Sequence, residues 1–333
     1  MERRPLSVRD FVVVERPTLA VFGAKSDDEL PGLSDVRNMV EIEFATGEEE
    51  LAHVLEHARI LLGWDFRAGA LERVWSHAGR LEWVHWAGAG VDAVLFPGLR
   101  DSNVILTNAR GIFDWAIAEY VLGLVLCLAK GFPRTVLSQR EKRWDFRHAE
   151  SIRGKTALLV GAGNIGSAIG QLLRTAGMQV IGVARGARDD DPVFGEVHAL
   201  AALDSLLESV DYVVNVTPST PATRGLFSAQ RLRLLKPDAR FINVGRGDAV
   251  DENALAAVLS TGRIAGAALD VFADEPLPDS SPLWELDNLI ISPHMSGDVK
   301  GADAALIAQF ADNLGRFLRG EPLENVVDKR KGY

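Results

Sequence analysis

The sequence predicts an α/β protein built on two mostly parallel sheets, the second of them doubly wound. Apolar, β-branched runs alternate with helical spacing from Thr18 to Thr107, and the alternation restarts in a clearer rhythm at Thr156. A glycine motif, Gly161-Ala162-Gly163-Asn164-Ile165-Gly166, follows the first strand of that restart. With 333 residues the chain is also too long for one hydrophobic core to be the default, so two domains are expected.

In chain order, strands are expected at Thr18–Phe22, Met39–Ala45, Arg59–Trp64, Leu81–Trp86 and Val104–Thr107, with helical spacing over Glu48–His57. A long helix is expected from Phe113 to Arg143, its apolar stripe formed by Ile117, Tyr120, Val121, Leu124, Val125 and Leu128, with a bend or break at Pro133. Six strands follow at Ala157–Val160, Val180–Ala184, Tyr212–Val216, Phe241–Val244, Ala265–Val271 and Leu289–Ser292, which suits a doubly wound fold of the Rossmann type. An amphipathic helix over Ala302–Leu318 leads into a polar tail, and no repeat or heptad array interrupts the pattern.

A net charge of −10 argues against nucleic acid and against anionic membranes as partners. The single cysteine, Cys127, excludes an intrachain disulfide and fits a reducing compartment, so a cytoplasmic protein is expected. Cys127 lies in the apolar stretch Tyr120–Ala129, where packing outweighs a nucleophilic role. That stretch is about half of a bilayer span and is bracketed by Glu119 and Lys130. The arginines near the N-terminus precede no apolar core of the signal-peptide kind, and no metal is expected.

Each glycine of the motif has its own physical task. Gly161 permits the tight turn after the strand, Gly163 lets the backbone approach a pyrophosphate, and Gly166 allows close packing of the helix Asn164–Ala176. The helix start at Asn164 and Ile165 offers amide donors and a positive dipole to the phosphates. Where an NAD enzyme offers an acid to the ribose, the chain reads Val183-Ala184-Arg185-Gly186-Ala187-Arg188. Arg185 and Arg188 suit the 2′-phosphate of NADP, so NADP(H) is favoured over NAD(H). The alternative is that both arginines are solvated and that Asp189, Asp190 or Asp191 faces the ribose.

Three further residues sit just after expected strands: Arg246 after the fourth of the restart, Glu275 after the fifth and His294 after the sixth. Ligands of doubly wound sheets lie outside the carboxyl ends of the strands, so the three should face one crevice. A guanidinium binds a carboxylate in a bidentate fork and polarises an adjacent carbonyl. An imidazolium at His294 protonates a carbonyl oxygen as hydride arrives, and Glu275 orients the ring through its other nitrogen and favours the charged form. That is the chemistry of 2-oxo acid reduction. Singly, each has an ordinary alternative: a turn arginine, a solvated loop acid, a buried histidine. Their joint placement beside a dinucleotide loop favours the site.

By these motifs the chain resembles the D-2-hydroxyacid dehydrogenase family of D-isomer-specific, NAD(P)-dependent oxidoreductases. The resemblance covers nearly the whole chain and is carried by the glycine motif, Asn243-Val244-Gly245-Arg246-Gly247, Ala268-Leu269-Asp270-Val271-Phe272, Glu275-Pro276 and Ser292-Pro293-His294. It implies that Arg246, Glu275 and His294 are catalytic and that Thr217, Pro218, Val244, Asp270 and Gly297 contact cofactor. It implies that Ala87, Gly88 and Ala89, in the loop Ala87-Gly88-Ala89-Gly90-Val91-Asp92, meet the substrate carboxylate together with Arg246. It also implies a flavodoxin-like, discontinuous substrate domain, residues 1–110 plus 297–333, flanking an inserted dinucleotide domain of residues 111–296. A homodimer formed through the interdomain helix follows from the same likeness, with Trp144 in the interface. The expected activity is glyoxylate/hydroxypyruvate-reductase-like.

Two departures narrow the substrate. The acid usual after the second strand is missing, which puts NAD preference in doubt, and no further C-terminal domain like that of the long phosphoglycerate dehydrogenases is expected, which weakens a phosphorylated substrate. Trp64, Trp83, Trp86 and Trp115 hint at a 2-oxo acid with an apolar side chain, against the ordinary reading of tryptophan as core. The rival from another class is a nucleotide-sensing, corepressor-like interaction protein of the same fold.

Overall fold

The structure, a computed structural model, describes residues 16–65 and 69–332; the N-terminal arginines weighed above lie outside them. The chain divides into two units. One reaches to Gly88 and takes in Ala93–Asn108 and Leu306–Val327; the other comprises Ala89–Asp92, Ala109–Ala305 and Asp328–Tyr333.

Among the described residues the first unit carries five parallel strands, β1 (Thr18–Phe22), β2 (Glu41–Ala45), β3 (Ile60–Gly63), β4 (Trp83–Trp86) and β5 (Ile105–Asn108), in the order β2-β1-β3-β4-β5. That is the flavodoxin-like order. β3 and β4 are buried along their whole length, as short continuous apolar runs are when helices cover both faces of a sheet. The helix ending at Arg319 closes this core: Phe310 stacks on Trp83 with ring centroids 5.3 Å apart, and Ile307 and Leu314 join the same cluster. Trp83 and Trp86 are fully buried and Trp64 packs against the core, so these three shape an interior and not a substrate wall. Gly63 is required beneath Trp86, because a Cβ there would stand 2.3 Å from the ring.

The second unit carries β6 (Thr156–Val160), β7 (Gln179–Ala184), β8 (Arg188–Asp191), β9 (Gly195–Ala199), β10 (Tyr212–Asn215), β11 (Arg240–Asn243), β12 (Gly266–Leu269) and β13 (Leu289–Ile291). Their order is β13-β12-β11-β10-β6-β7-β9-β8, parallel throughout except for β8 against β9. The expected six strands are therefore eight. The hairpin β8–β9 escaped because Arg-Asp-Asp-Asp and Gly-Glu-Val-His-Ala carry neither an apolar run nor a sustained alternation. Its presence corrects the count: β9 is the strand beside β7, and β10 crosses to pair with β6 on the other side. The strands that precede Arg246, Glu275 and His294 thus lie one place farther from β6 than six strands would put them.

The helical segment expected over Phe113–Arg143, with a bend or break at Pro133, is two helices, Asp114–Lys130 and Phe132–Arg140, bent by 63°. Gly131, at φ 62°, ends the first, and Pro133 sits in the first turn of the second, where a missing N–H costs nothing. Among the described residues no single helix is long and apolar enough to cross a membrane. Cys127 is half-buried, and burial pushes its thiol up, away from nucleophilic use.

Candidate active site

β6 ends in the glycine motif, and the backbone there does what the sequence requires. Gly161 has φ 113°, and a Cβ on it would stand 2.8 Å from the carbonyl oxygen of Val216. A Cβ on Gly166 would stand 2.0 Å from the carbonyl oxygen of Gly161, so the helix Asn164–Thr175 meets the turn with no space left. Gly163 differs: it is exposed, its backbone is extended, and a Cβ would meet nothing within 4 Å. Open space thus lies beside Gly163, next to the exposed start of the helix at Asn164, with Ile165 half-buried behind it.

The end of β7 lies against this loop, since Gly161 and Ala162 both donate to the carbonyl of Val183. Arg188 donates to the carbonyl of Ala162 at 2.7 Å and pairs with Asp191 at 2.8 Å. Asp191 in turn accepts from the amides of Val193 and Phe194. Asp191 is thus engaged in the hairpin turn, which removes one of the three acids weighed for the ribose. Arg185 lies in the exposed stretch between β7 and β8.

Behind the loops after β10 and β11 lies a polar pair with no exposed surface. Asn215 donates to Asn243 at 2.9 Å and accepts from the hydroxyl of Thr217 at 2.9 Å; Asn243 accepts from the amide of Gly245 and donates to the carbonyl of Arg246. These bonds fix the backbone on which Arg246 stands. Thr217 and Val244 are nearly buried, and Pro218 is half-buried, its carbonyl accepting from Thr223. Arg246 itself donates from Nε to Asp92 at 3.0 Å and from Nη1 to the carbonyl of Gly245 at 2.9 Å.

Glu275 and His294 come together. Nδ1 of His294 lies 2.8 Å from Oε2 of Glu275, while Oε1 of Glu275 accepts from the amide of Phe272 at 2.9 Å. Both side chains are a little under one-third exposed. His294 has φ 51°, a conformation a non-glycine residue holds only when its surroundings insist. Asp270 insists: its carbonyl accepts from the amide of His294 at 2.8 Å. Its fully buried carboxylate accepts from Ser292 Oγ at 2.6 Å and from the amides of Met295 at 3.0 Å and Ser296 at 2.9 Å. Asp270 thereby positions His294, a role the sequence did not disclose. Gly297 follows that turn, and a Cβ on it would stand 3.1 Å from the ring of Phe113.

The loop read as the substrate loop is divided between the units. Ala87 and Gly88 belong to the first and are buried, while Ala89 belongs to the second. The amide of Ala87 donates to the carbonyl of Gly63 at 3.0 Å, continuing the pairing of β4. It is therefore not a donor held ready for a carboxylate, and that expectation is corrected for Ala87.

Residues 122–296 match the family described as D-isomer specific 2-hydroxyacid dehydrogenase, NAD binding domain. The chain belongs to the D-isomer specific 2-hydroxyacid dehydrogenase family. Because the match is to the family's nucleotide unit, the glycine loop above is that of a nicotinamide dinucleotide-binding domain. Among curated relatives, the D-3-phosphoglycerate dehydrogenase of Methanocaldococcus jannaschii is 32% identical over 294 residues, covering 86% of this chain and 55% of that one. The chain spans about half the length of the phosphoglycerate dehydrogenases it matches. Among solved structures, a D-isomer specific 2-hydroxyacid dehydrogenase of Xanthobacter autotrophicus in complex with NADPH and MES is 34% identical, with a TM-score of 0.81 over 96% of this chain and 100% of that one. The NADPH-dependent glyoxylate/hydroxypyruvate reductase of Sinorhizobium meliloti, in complex with NADP and sulfate, is 28% identical, with a TM-score of 0.83 over 95% of this chain and 100% of that one.

Proposed function

We propose that this family member reduces a small 2-oxo acid to the D-2-hydroxy acid, and runs the reverse reaction, with NADP(H) preferred to NAD(H). The observation that carries the reading is the 2.8 Å pairing of His294 with Glu275, on loops that follow adjacent strands and next to the strand that leads to Arg246. The bound nicotinamide supplies the hydride for the carbonyl carbon. Gly161, Gly163, Asn164, Ile165 and Gly166 would cradle its pyrophosphate, with Thr217, Pro218, Val244 and Gly297 on the loops around it. Arg246 binds the carboxylate and polarises the carbonyl. With Nδ1 turned to Glu275, Nε2 of His294 is the nitrogen that holds the proton for the carbonyl oxygen, or takes it back in oxidation. Asp270 acts through His294.

The NADPH and NADP of the Xanthobacter and Sinorhizobium structures support the cofactor preference, as does an arginine at position 185. The Sinorhizobium enzyme makes glyoxylate and hydroxypyruvate the first substrates to try. We further propose that the first unit serves as substrate domain and that two copies pair through the helices Asp114–Lys130 and Phe132–Arg140. Trp115, Phe132, Val136 and Leu137 on those helices, and Trp144 beyond them, are exposed apolar side chains that pairing would cover.

The test is a spectrophotometric panel of glyoxylate, hydroxypyruvate, pyruvate, phenylpyruvate and branched 2-oxo acids, each with NADPH and NADH. His294→Ala should then lower kcat roughly a hundredfold or more with cofactor affinity kept. Turnover of His294→Ala near the parent rate would remove the acid–base assignment.

A further inference from the structure

Arg246 does not stand alone. Nε donates to Oδ1 of Asp92 at 3.0 Å, and Nη2 lies 2.9 Å from that same oxygen. Nη1 donates to the carbonyl of Gly245 at 2.9 Å. A guanidinium has five N–H groups in a fixed plane, one on Nε and two on each Nη. These contacts engage one on each nitrogen and leave one on Nη1 and one on Nη2. Nη1 and Nη2 are the two nitrogens of the end-on fork that matches the two oxygens of a carboxylate.

A second observation comes from the same loop. A Cβ on Gly90 would stand 1.7 Å from Nη2 of Arg246, 2.8 Å from its Cζ and 2.9 Å from Oδ1 of Asp92. The backbone at Gly90 therefore lies directly against the guanidinium, which a Cβ there would push from its place. Asp92 holds one edge of the group at two nitrogens, Gly245 holds the third, and Gly90 walls it in. Asp92, 154 residues away in sequence, is set beside Arg246 by the fold and not by chain neighbourhood.

We infer that Asp92 is a positioning residue for substrate binding, resting on the carboxylate-binding role proposed above for Arg246. By occupying the Nε–Nη2 edge it turns the Nη1–Nη2 end to the 2-oxo acid, and Gly90 keeps that orientation from being lost sideways. A carboxylate beside the cation also opposes the attraction of a second carboxylate. The geometry decides between these effects: the Arg246 side chain is only about one-quarter exposed and its guanidinium is held at three nitrogens, so orientation outweighs the opposing charge.

The experiment uses the full chain with glyoxylate and NADPH, in the parent, Asp92→Ala, Asp92→Asn, Gly90→Ala, Arg246→Ala and the double variant Asp92→Ala/Arg246→Ala. Asp92→Ala should raise KM for glyoxylate roughly tenfold to a hundredfold, with a smaller fall in kcat and an unchanged Kd for NADPH. Asp92→Asn, which keeps the acceptor oxygen, should fall between Asp92→Ala and the parent. Gly90→Ala should fold, because the clash is with the end of a side chain, and should raise KM in the same way. On the Arg246→Ala background the Asp92→Ala effect should vanish, since a residue acting through Arg246 has nothing left to position. An effect of Asp92→Ala that persists in the double variant overturns the inference, as does a KM that falls in Asp92→Ala. The Nε proton signal of Arg246, assigned by its absence in Arg246→Ala, is a readout independent of turnover: Asp92→Ala should shift it and speed its exchange. Should the parent turn over no 2-oxo acid, the proposed function falls, and a parental Nε signal in Asp92→Ala would still decide against the positioning role.

Discussion

Gly163 and Gly166 lie three residues apart in one motif, and the structure gives them opposite fates under the same substitution. A Cβ on Gly163 meets nothing within 4 Å, and its φ of −90° and ψ of −160° are open to alanine. Gly163→Ala should therefore fold as well as the parent, or better by about 0.4–1 kcal/mol through the lost freedom of the unfolded chain. A Cβ on Gly166 would stand 2.0 Å from the carbonyl oxygen and 3.0 Å from the carbonyl carbon of Gly161, backbone atoms that cannot swing aside. Gly166→Ala should cost about 1–3 kcal/mol, the range of overpacking, and lower the melting temperature.

Cofactor binding separates the pair from the other side. The methyl group of Gly163→Ala would stand in the space a pyrophosphate needs, and a tenfold loss of affinity is ~1.4 kcal/mol. NADPH at about a hundred times the parent Kd stabilises the parent by ~2.7 kcal/mol, and at the same concentration a tenfold weaker variant gains only ~1.4 kcal/mol. Fluorescence titration gives the Kd, and thermal unfolding with and without NADPH gives the increment. A Gly163→Ala variant that binds NADPH as tightly as the parent would refute the assignment of that space to the pyrophosphate.

Arg185→Ala should weaken NADPH more than NADH, whereas Arg188→Ala should weaken both, because it also releases the carbonyl of Ala162; fluorescence titration of each variant with each cofactor tells these apart. Asp270→Ala should leave buried donors of Ser292 and Ser296 unpaired at about 1–3 kcal/mol each and loosen the turn Met295–Ser296 directly after His294; thermal unfolding should show a lower midpoint and steady-state assays a fall in kcat. His85 is buried on β4 with Nδ1 2.9 Å from Thr107 Oγ1, and desolvation pushes its pKa from 6.5 down to about 4. The unfolded chain then binds the extra proton first, so stability is whole above pH 6.5, falls as the pH drops toward 4 by as much as ~3 kcal/mol, and falls no further below that. Urea unfolding of the parent and His85→Gln should diverge across that window; a pH-independent difference would contradict the buried neutral histidine.

What could be read from the chain alone was what the backbone demands locally. The turn at Gly161, the close packing at Gly166 and the ends of strands before Arg246, Glu275 and His294 are all set within a few residues, so composition and period disclose them. The hairpin β8–β9 was illegible because pairing with β7 stabilises it, not an apolar pattern of its own. Side-chain partnerships were harder still. Trp83 could equally line a cleft or fill a core until Phe310, from the far end of the chain, was seen stacked upon it. Asp270 showed its carboxylate's task only once β12 and β13 were neighbours, which brings the turn after Ser292 over it. Arg246 is the limiting case. The chain has 46 acidic residues, and nothing in the local sequence selects Asp92 among them as its partner. The loop glycine at position 90 was visible, yet its reason was not: the absence of a side chain there is a demand made by a guanidinium that arrives from another strand. Chemistry of the kind a site performs is thus legible from residue type and strand position, while the orientation that makes a side chain competent is written in contacts between segments, and only the fold brings those together.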